Sequence, residues 1–330
     1  MLEHGGRLLE ASRRYGIAVA QWLDLSTGIS PFPYPVPPIA PELWRRLPEE
    51  EDDLVSAAAA YHGSRQCLAV PGTQAALQVL PRILAARRVA VLNPSYAEYA
   101  HVWARAGCEV ASVPEGAMGE AAKNFGAVVL CNPNNPDGYV FPGERLAHMR
   151  AQLAARGGWL VVDEAYADTP GGGSVAGEAG AAGLIVLCSM GKFFGLAGMR
   201  MGFVLGPAAI LARMREELGP WAVSGPARHV AGIALRDRPW QQAARKRLHA
   251  ARHRLGDMLA ACGLESAGST FLFHWIPHPD ARAVQDQLAR RGILVRAFDR
   301  PQALRMGFPG AERDWERLES ALREVAHAVS

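Results

Sequence analysis

The sequence predicts an α/β protein: a large domain on a mainly parallel sheet, with helices on both faces, followed by a smaller α+β domain. Three observations carry that expectation. From Asp53 onward, short apolar runs of strand length alternate with helical stretches, and the runs do not alternate apolar and polar side chains strictly. Strands of that kind are buried on both faces, which is the habit of parallel sheets. Near residue 239 the rhythm changes to strands and helices in mixed order, and 330 residues are enough for more than one domain.

Taken in order, the first fifty residues are irregular after a short helical stretch around 5–15. The segment WLDLSTGISPFPYPVPPIAPELWRRLPEEED is too rich in proline for a long helix or a central strand. It is also too apolar for a free tail, so it should lie across a surface or between subunits. LVSAAAAYHG then reads as helix, CLAV as strand, TQAALQVLPRILAA as helix and RVAVLNP as strand. YAEYAHVWARAG is helical, EVASVP a strand, and GAVVLCNP a strand entering a turn. An amphipathic helix follows at 144–156. WLVVDEAY (159–166) is a strand ending in acid, and LIVLCS (184–189) and MGFVLG (201–206) are two more. After an arginine-rich helix at roughly 239–262 come strand TFLFHWI, helix ARAVQDQLARRG, strands ILVRAF and ALRMGF, and a last helix RDWERLESALREVAHAV. The expected division is an N-terminal segment 1–49 associated with the small domain, a large domain 50–238 and a small domain 239–330.

Composition narrows the function classes. The net charge is +3 and no dense basic block is present, which argues against a nucleic-acid footprint. Five cysteines at 67, 108, 131, 188 and 262 lack CxxC spacing and read as free thiols of a reducing compartment. The N-terminus has no apolar signal core and nowhere do eighteen apolar residues run together, so a cytoplasmic protein without a membrane span is expected. His249 and His253 stand four apart on a helix, but HExxH is absent and arginines surround them. A solvated basic face is expected there, and no metal site. The acids at 49–53 likewise read as a solvated helix start.

Chemistry collects beyond the carboxyl ends of strands in an open α/β sheet, and the conspicuous polar groups fall there. Lysine is scarce: Lys and Arg together number 35, of which three are lysine. One of these, Lys192, sits in the apolar, glycine-rich CSMGKFFGLAGMRMGF (188–203). A surface lysine needs no such setting, whereas an amine that must form a Schiff base does. PGTQAAL (71–77) puts Gly72 and Thr73 at a strand-to-helix junction, which could hold a phosphate or simply cap the helix. Tyr96 in NPSY offers a flat ring, for stacking or for packing. NPNNPDG (132–138) is at least a turn, and its Asn135 is also a neutral donor. Asp163 closes a strongly apolar strand and must be paired if buried, and Tyr166 lies three residues on. Pyridoxal phosphate asks for these five things together: an amine, a carboxylate for its ring nitrogen, donors to its ring oxygen, a ring to stack on and a phosphate cradle.

SMGKFFGLAGMRMGF, NPNNPDG and VVDEAY, in this spacing, resemble the fold-type I pyridoxal-phosphate enzymes over nearly the whole chain. HGG (4–6) and LDLSTGISPFPYP (23–35) look most like the threonine-phosphate decarboxylases of cobalamin biosynthesis, which are similar to histidinol-phosphate aminotransferases. The resemblance implies that Lys192 binds the cofactor's aldehyde, that Asp163 pairs with the ring nitrogen, and that Asn135 and Tyr166 bond the phenolic oxygen. It gives the cofactor phosphate to Gly72, Thr73, Ser189 and Arg200, with Gln74 nearby and Tyr96 stacked on the ring. It gives the substrate α-carboxylate to Arg305 in ALRMGF and the substrate phosphate to His4, with Asn135 also on the substrate and the segment around Ser30 closing over it. The implied reaction is decarboxylation of L-threonine O-3-phosphate to (R)-1-amino-2-propanol O-2-phosphate by a homodimer. Histidinol-phosphate aminotransferase using 2-oxoglutarate is the alternative. One departure matters: relatives commonly carry, just before a proline near residue 48, a tyrosine that reaches the neighbouring subunit's cofactor phosphate, and Leu47 stands there in this chain. The GTQAAL junction also departs from the usual acidic or serine-bearing version.

Overall fold

The computed structural model describes residues 4–169 and 173–329, and the chain folds as two compact units. The first runs from the N-terminus to Phe32, takes in Pro136–Tyr139 and resumes at Gln242. The second comprises Pro33–Asn135 and Val140–Gln241. The sequence reading put the borders at 49/50 and 238/239, and the contacts move both. Residues from Pro33 onward join the large unit because Tyr34 is built into it. The Tyr34 amide donates to the Phe194 carbonyl at 2.9 Å, its hydroxyl donates to Asp237 at 3.1 Å, and its ring meets Trp240 edge-on at 4.9 Å.

Helix α1 (Leu8–Tyr15) and the two-residue strand β1 (Leu23–Asp24) open the first unit. The second begins with α2 (Glu42–Arg45) and α3 (Leu54–His62), then alternates through β2 (Cys67–Val70), α4 (Thr73–Leu84), β3 (Arg88–Leu92) and α5 (Glu98–Arg105). It continues with β4 (Glu109–Val113), α6 (Met118–Asn124), β5 (Ala127–Cys131), α7 (Gly143–Ala154) and β6 (Trp159–Asp163). Strands β7 (Leu184–Ser189) and β8 (Gly202–Leu205) and helices α8 (Ala208–Leu218) and α9 (Gly225–Arg236) complete it. Helix α10 (Arg238–Ala261) leads back into the first unit, which adds β9 (Gly268–Ser269), β10 (His274–Pro277) and α11 (Ala281–Arg290). It ends with β11 (Ile293–Leu294), β12 (Arg296–Asp299), β13 (Gln302–Met306) and α12 (Glu312–Val329).

The second unit carries a seven-stranded sheet in the order β2-β8-β7-β6-β5-β3-β4. Only β8 runs against its neighbours, as its antiparallel pairings with β7 and β2 show. Every residue of β5 is buried, as is every residue of β6 but Trp159. Both faces of these strands therefore need apolar side chains, which is why AVVLC and LVV run on without alternation. After β4 at the sheet edge the chain returns to the other side of β3 to form β5, and such a reversal opens a crevice at the carboxyl edge.

The first unit pairs β12-β13-β10-β9 antiparallel, and separately pairs β1 with β11 in parallel. The run ILVRAF, expected as one strand, is thus split at Val295: Ile293–Leu294 serves β1 and Arg296–Asp299 serves β13. Likewise only the end of TFLFHWI is strand. Among the described residues no helix is long and apolar enough to cross a membrane, and no group of three His, Cys, Asp or Glu could hold a metal ion.

Candidate active site

Strand register brings the predicted residues of the large unit to one edge. Cys131 at the end of β5 pairs with Asp163 at the end of β6, and Asp163 with Leu187 of β7. Because β8 is antiparallel, its first residue Gly202 lies at the same edge, beside Ser189 and Val70. A cavity of about 160 Å³ opens there. Gly72, Thr73, Gln74, Tyr96, Asn135, Asp163, Tyr166, Ser189, Lys192 and Arg200, all expected on the cofactor, line it.

Lys192 follows β7 in a tight turn. Ser189 Oγ accepts the Gly191 amide at 3.1 Å, the Gly195 amide donates to the Lys192 carbonyl at 3.2 Å, and the flanking Phe193 and Phe194 are buried. That anchoring leaves the Lys192 amine at the cavity, 5.5 Å from the centroid of the Tyr166 ring. Asp163 is buried, with one carboxylate oxygen accepting the Tyr99 hydroxyl at 2.8 Å and the other the Ala165 amide at 3.0 Å. Burial pushes its carboxyl above the ordinary range, while Tyr99, the Ala165 amide and Lys192 hold it down. A cationic partner in the cavity would favour the ionised form further.

The junction expected to hold a phosphate is built from backbone. Gly72 precedes α4 with φ 79° and ψ 151°, a conformation reserved for glycine, and a Cβ there would stand 2.8 Å from the Arg200 guanidinium. Arg200 itself adopts φ 54° and ψ 57°, and so lays its side chain over that glycine. The first amides of α4 have no partner within the helix and carry the positive end of its dipole. Gln74 is tied sideways: its amide donates to Glu98 at 2.8 Å and its carbonyl accepts the Tyr96 hydroxyl at 3.3 Å. The other asparagines of NPNNPDG are braces. Asn134 donates to the Pro94 carbonyl at 2.9 Å and accepts Ser95 Oγ at 2.8 Å, and Asn132 donates to Gly173 and accepts the Phe141 amide. Asn135 alone of the three lines the cavity. An amine, a buried carboxylate, an amide and a glycine cradle under an arginine fit pyridoxal phosphate.

Of the residues expected on the substrate, His4, Ser30 and Arg305 belong to the first unit and Asn135 to the second. Asn135 lines the cavity beside Lys192, His4 lines a separate one, and Arg305 lines neither. The cavity at His4, of about 130 Å³, is also lined by Arg7, Ser26 and Arg296. The HGG sequence is explained by packing: a Cβ on Gly5 would collide with the Ser26 carbonyl, and the Gly6 amide donates to Ser26 Oγ at 2.8 Å. Arg305 is buried and donates to the Ser26 carbonyl at 2.6 Å, so LDLSTG fixes its guanidinium. Directly opposite Arg305 in the β12–β13 ladder stands Arg296. Cross-strand partners share a face, which makes Arg296 a candidate that the sequence reading missed. Ser30 does not join either cavity. It is buried, and its hydroxyl both accepts the Phe32 amide and donates to the Phe32 carbonyl, so it is spent on a local turn. His249 and His253 are exposed, with Nε2 atoms 3.3 Å apart.

The profile of the family described as aminotransferase class I and II matches residues 46–325. The chain belongs to that family. Its similarity to a threonine-phosphate decarboxylase of Pseudomonas aeruginosa is 49% identity, over 99% of this chain and 100% of the relative. A threonine-phosphate decarboxylase of a Sinorhizobium species is 42% identical over 98% of each chain. Among solved structures, a histidinol-phosphate aminotransferase of Sinorhizobium meliloti in complex with pyridoxal-5'-phosphate superposes with a TM-score of 0.85. It covers 100% of this chain and 96% of its own at 22% identity, a likeness of fold.

Proposed function

We propose that this protein is a pyridoxal-phosphate-dependent threonine-phosphate decarboxylase. It converts L-threonine O-3-phosphate to (R)-1-amino-2-propanol O-2-phosphate and carbon dioxide, a step of cobalamin biosynthesis, as a cytoplasmic homodimer. The observation that carries the reading is the end-to-end identity of 49% with a decarboxylase of that name. A cavity that gathers an amine and a buried carboxylate at a glycine cradle supports it.

Bound there, pyridoxal phosphate supplies a ring that accepts the electron pair left when a bond to the substrate's Cα breaks. The chain's residues do the rest. Lys192 would hold the aldehyde carbon, and its Nζ would be the group that moves a proton to the substrate's Cα. Asp163 would hold the ring nitrogen, Asn135 and Tyr166 the ring oxygen, and Gly72, Thr73, Ser189 and Arg200 the phosphate. Of the first unit, Arg305 takes the substrate's carboxylate, and His4 with Arg296 takes its phosphate. Which bond breaks depends on which one is held perpendicular to the ring. A clamp on the substrate's phosphate would be the chain's means of choosing which bond that is.

The test incubates the enzyme with threonine phosphate and no keto acid, and measures carbon dioxide and amine phosphate. Stoichiometric release of both is expected. No carbon dioxide, with 2-oxoglutarate-dependent conversion of histidinol phosphate instead, would overturn the reading in favour of an aminotransferase.

A further inference from the structure

Asp163 would face the ring nitrogen, but a carboxylate on the end of a strand turns about its own bonds unless something fixes it. Two donors meet it, one at each oxygen. The Ala165 amide reaches Oδ1 at 3.0 Å and comes from the same chain segment. The Tyr99 hydroxyl reaches Oδ2 at 2.8 Å and comes from α5, 64 residues away. Tyr99 is 1% exposed, so its hydroxyl meets the carboxylate away from bulk water. Its own place is secured twice: its amide donates to the Tyr96 carbonyl at 3.1 Å, and its ring meets the Tyr96 ring edge-on at 5.4 Å. We propose that Tyr99 is a positioning residue for the cofactor: its hydroxyl holds the Asp163 carboxylate for the ring nitrogen of pyridoxal phosphate.

The charges around the pair agree with this. Burial lifts the Tyr99 phenol well above its ordinary range, and the Asp163 charge lifts it further, so the hydroxyl remains a donor. A donor that cannot ionise favours the charged carboxylate over the neutral acid. Lys192 also favours that charge. Cys131, at the end of the adjoining strand, directs its S–H to the Pro133 carbonyl at 3.2 Å. Hydrogen bonds to charged groups in buried sites are the strong ones.

The inference rests on pyridoxal phosphate binding at this cavity, and the experiment separates the two claims. Protein stripped of cofactor is titrated with pyridoxal 5'-phosphate and with its 1-deaza analogue, which has carbon in place of the ring nitrogen. Tyr99→Phe keeps the ring and removes only the hydroxyl. It should weaken pyridoxal phosphate by roughly tenfold but the deaza analogue by less than twofold, because that ligand has no nitrogen for Asp163 to meet. In an Asp163→Asn background the added loss from Tyr99→Phe should shrink below twofold. A variant weakened equally for both ligands, or one that binds neither, would make Tyr99 a residue of the fold and overturn the proposal. So would a variant that binds pyridoxal phosphate as the parent does. If the parent itself binds neither ligand, the cofactor assignment falls with it.

Discussion

Two ionisable side chains of the large unit, buried Glu164 and half-buried His62, oppose each other. Glu164, next to Asp163, accepts the Ser174 hydroxyl and the Val175 amide, each at 2.6 Å. Burial still pushes its carboxyl up to about 7, and Asp168 and Asp163 add to the push. His62 ends α3 between the rings of Tyr61 and Phe203, with a buried Nε2 that has no hydrogen-bond partner, and burial pushes it down to about 4. The folded chain holds the Glu164 proton more tightly than the unfolded chain does. Its contribution to stability is therefore full below pH 4.5 and is lost as the pH rises through 7. The unfolded chain holds the His62 proton more tightly, so that contribution is full above pH 6.5 and is lost as the pH falls through 4. Each is worth roughly 3 kcal/mol across its window, and between pH 4.5 and 6.5 the slopes cancel. Glu164→Gln should unmask the histidine, giving a variant that gains stability relative to the parent as pH rises from 4.5 to 7. His62→Phe should gain relative to the parent as pH falls through the same window. Denaturation midpoints at four pH values check both signs; parallel curves for parent and variants would contradict the assignment.

At the scale of elements, the same physics sets what the sequence could reveal. The inner strands were legible because burial on both faces leaves no choice but an apolar run, as in AVVLC and LIVLCS. Helix α9 was not, because Gly225–Pro226 looks like a breaker. In the structure Pro226 lies in the first turn, and the Ser224 hydroxyl caps the helix by accepting the Ala227 amide at 3.3 Å. Helices α6 and α8 were missed as well. Of the site, Lys192, Asp163 and the Gly72 junction stood out because their residue types are odd for their surroundings. Tyr99 and Arg296 are ordinary residues that become candidates only through a partner the fold supplies, Asp163 64 residues on and Arg305 across the hairpin ladder. The Gly72 junction is the element most exposed to a single change. Gly72→Ala puts a Cβ against the Arg200 guanidinium and strains a backbone with φ 79°, at a cost of about 1–3 kcal/mol. If that junction is the phosphate cradle, the variant should bind pyridoxal phosphate about tenfold more weakly, and free phosphate should compete less well for the site. An unchanged affinity would move the phosphate elsewhere.

The large unit carries an apolar surface patch that a second copy of the chain would cover if it forms a dimer. Trp44 and Leu47 are 67% and 63% exposed, beside a groove of about 520 Å³ walled by Leu43, Pro48 and Ile233. The rim carries Glu42 and Glu49 together with Arg46 and Arg236. A patch bearing both signs around an apolar centre can complement a second copy of itself about a two-fold axis, with each acid of one copy available to a base of the other. Tryptophan is among the side chains most enriched at the energetic centre of an interface, and a contiguous apolar patch is a stronger signal than scattered surface apolar residues. Leu47 brings no hydroxyl to that surface, so its contribution there is apolar area. Light scattering at micromolar concentration should therefore report about twice the 35.5 kDa chain mass. Trp44→Ser combined with Leu47→Ser removes the apolar centre but leaves the pairing of Arg228 with Asp52 at 2.7 Å in place. That double variant should shift toward the single-chain mass with its circular dichroism unchanged. A parent protein that scatters as one chain across the same range would exclude the two-fold assembly.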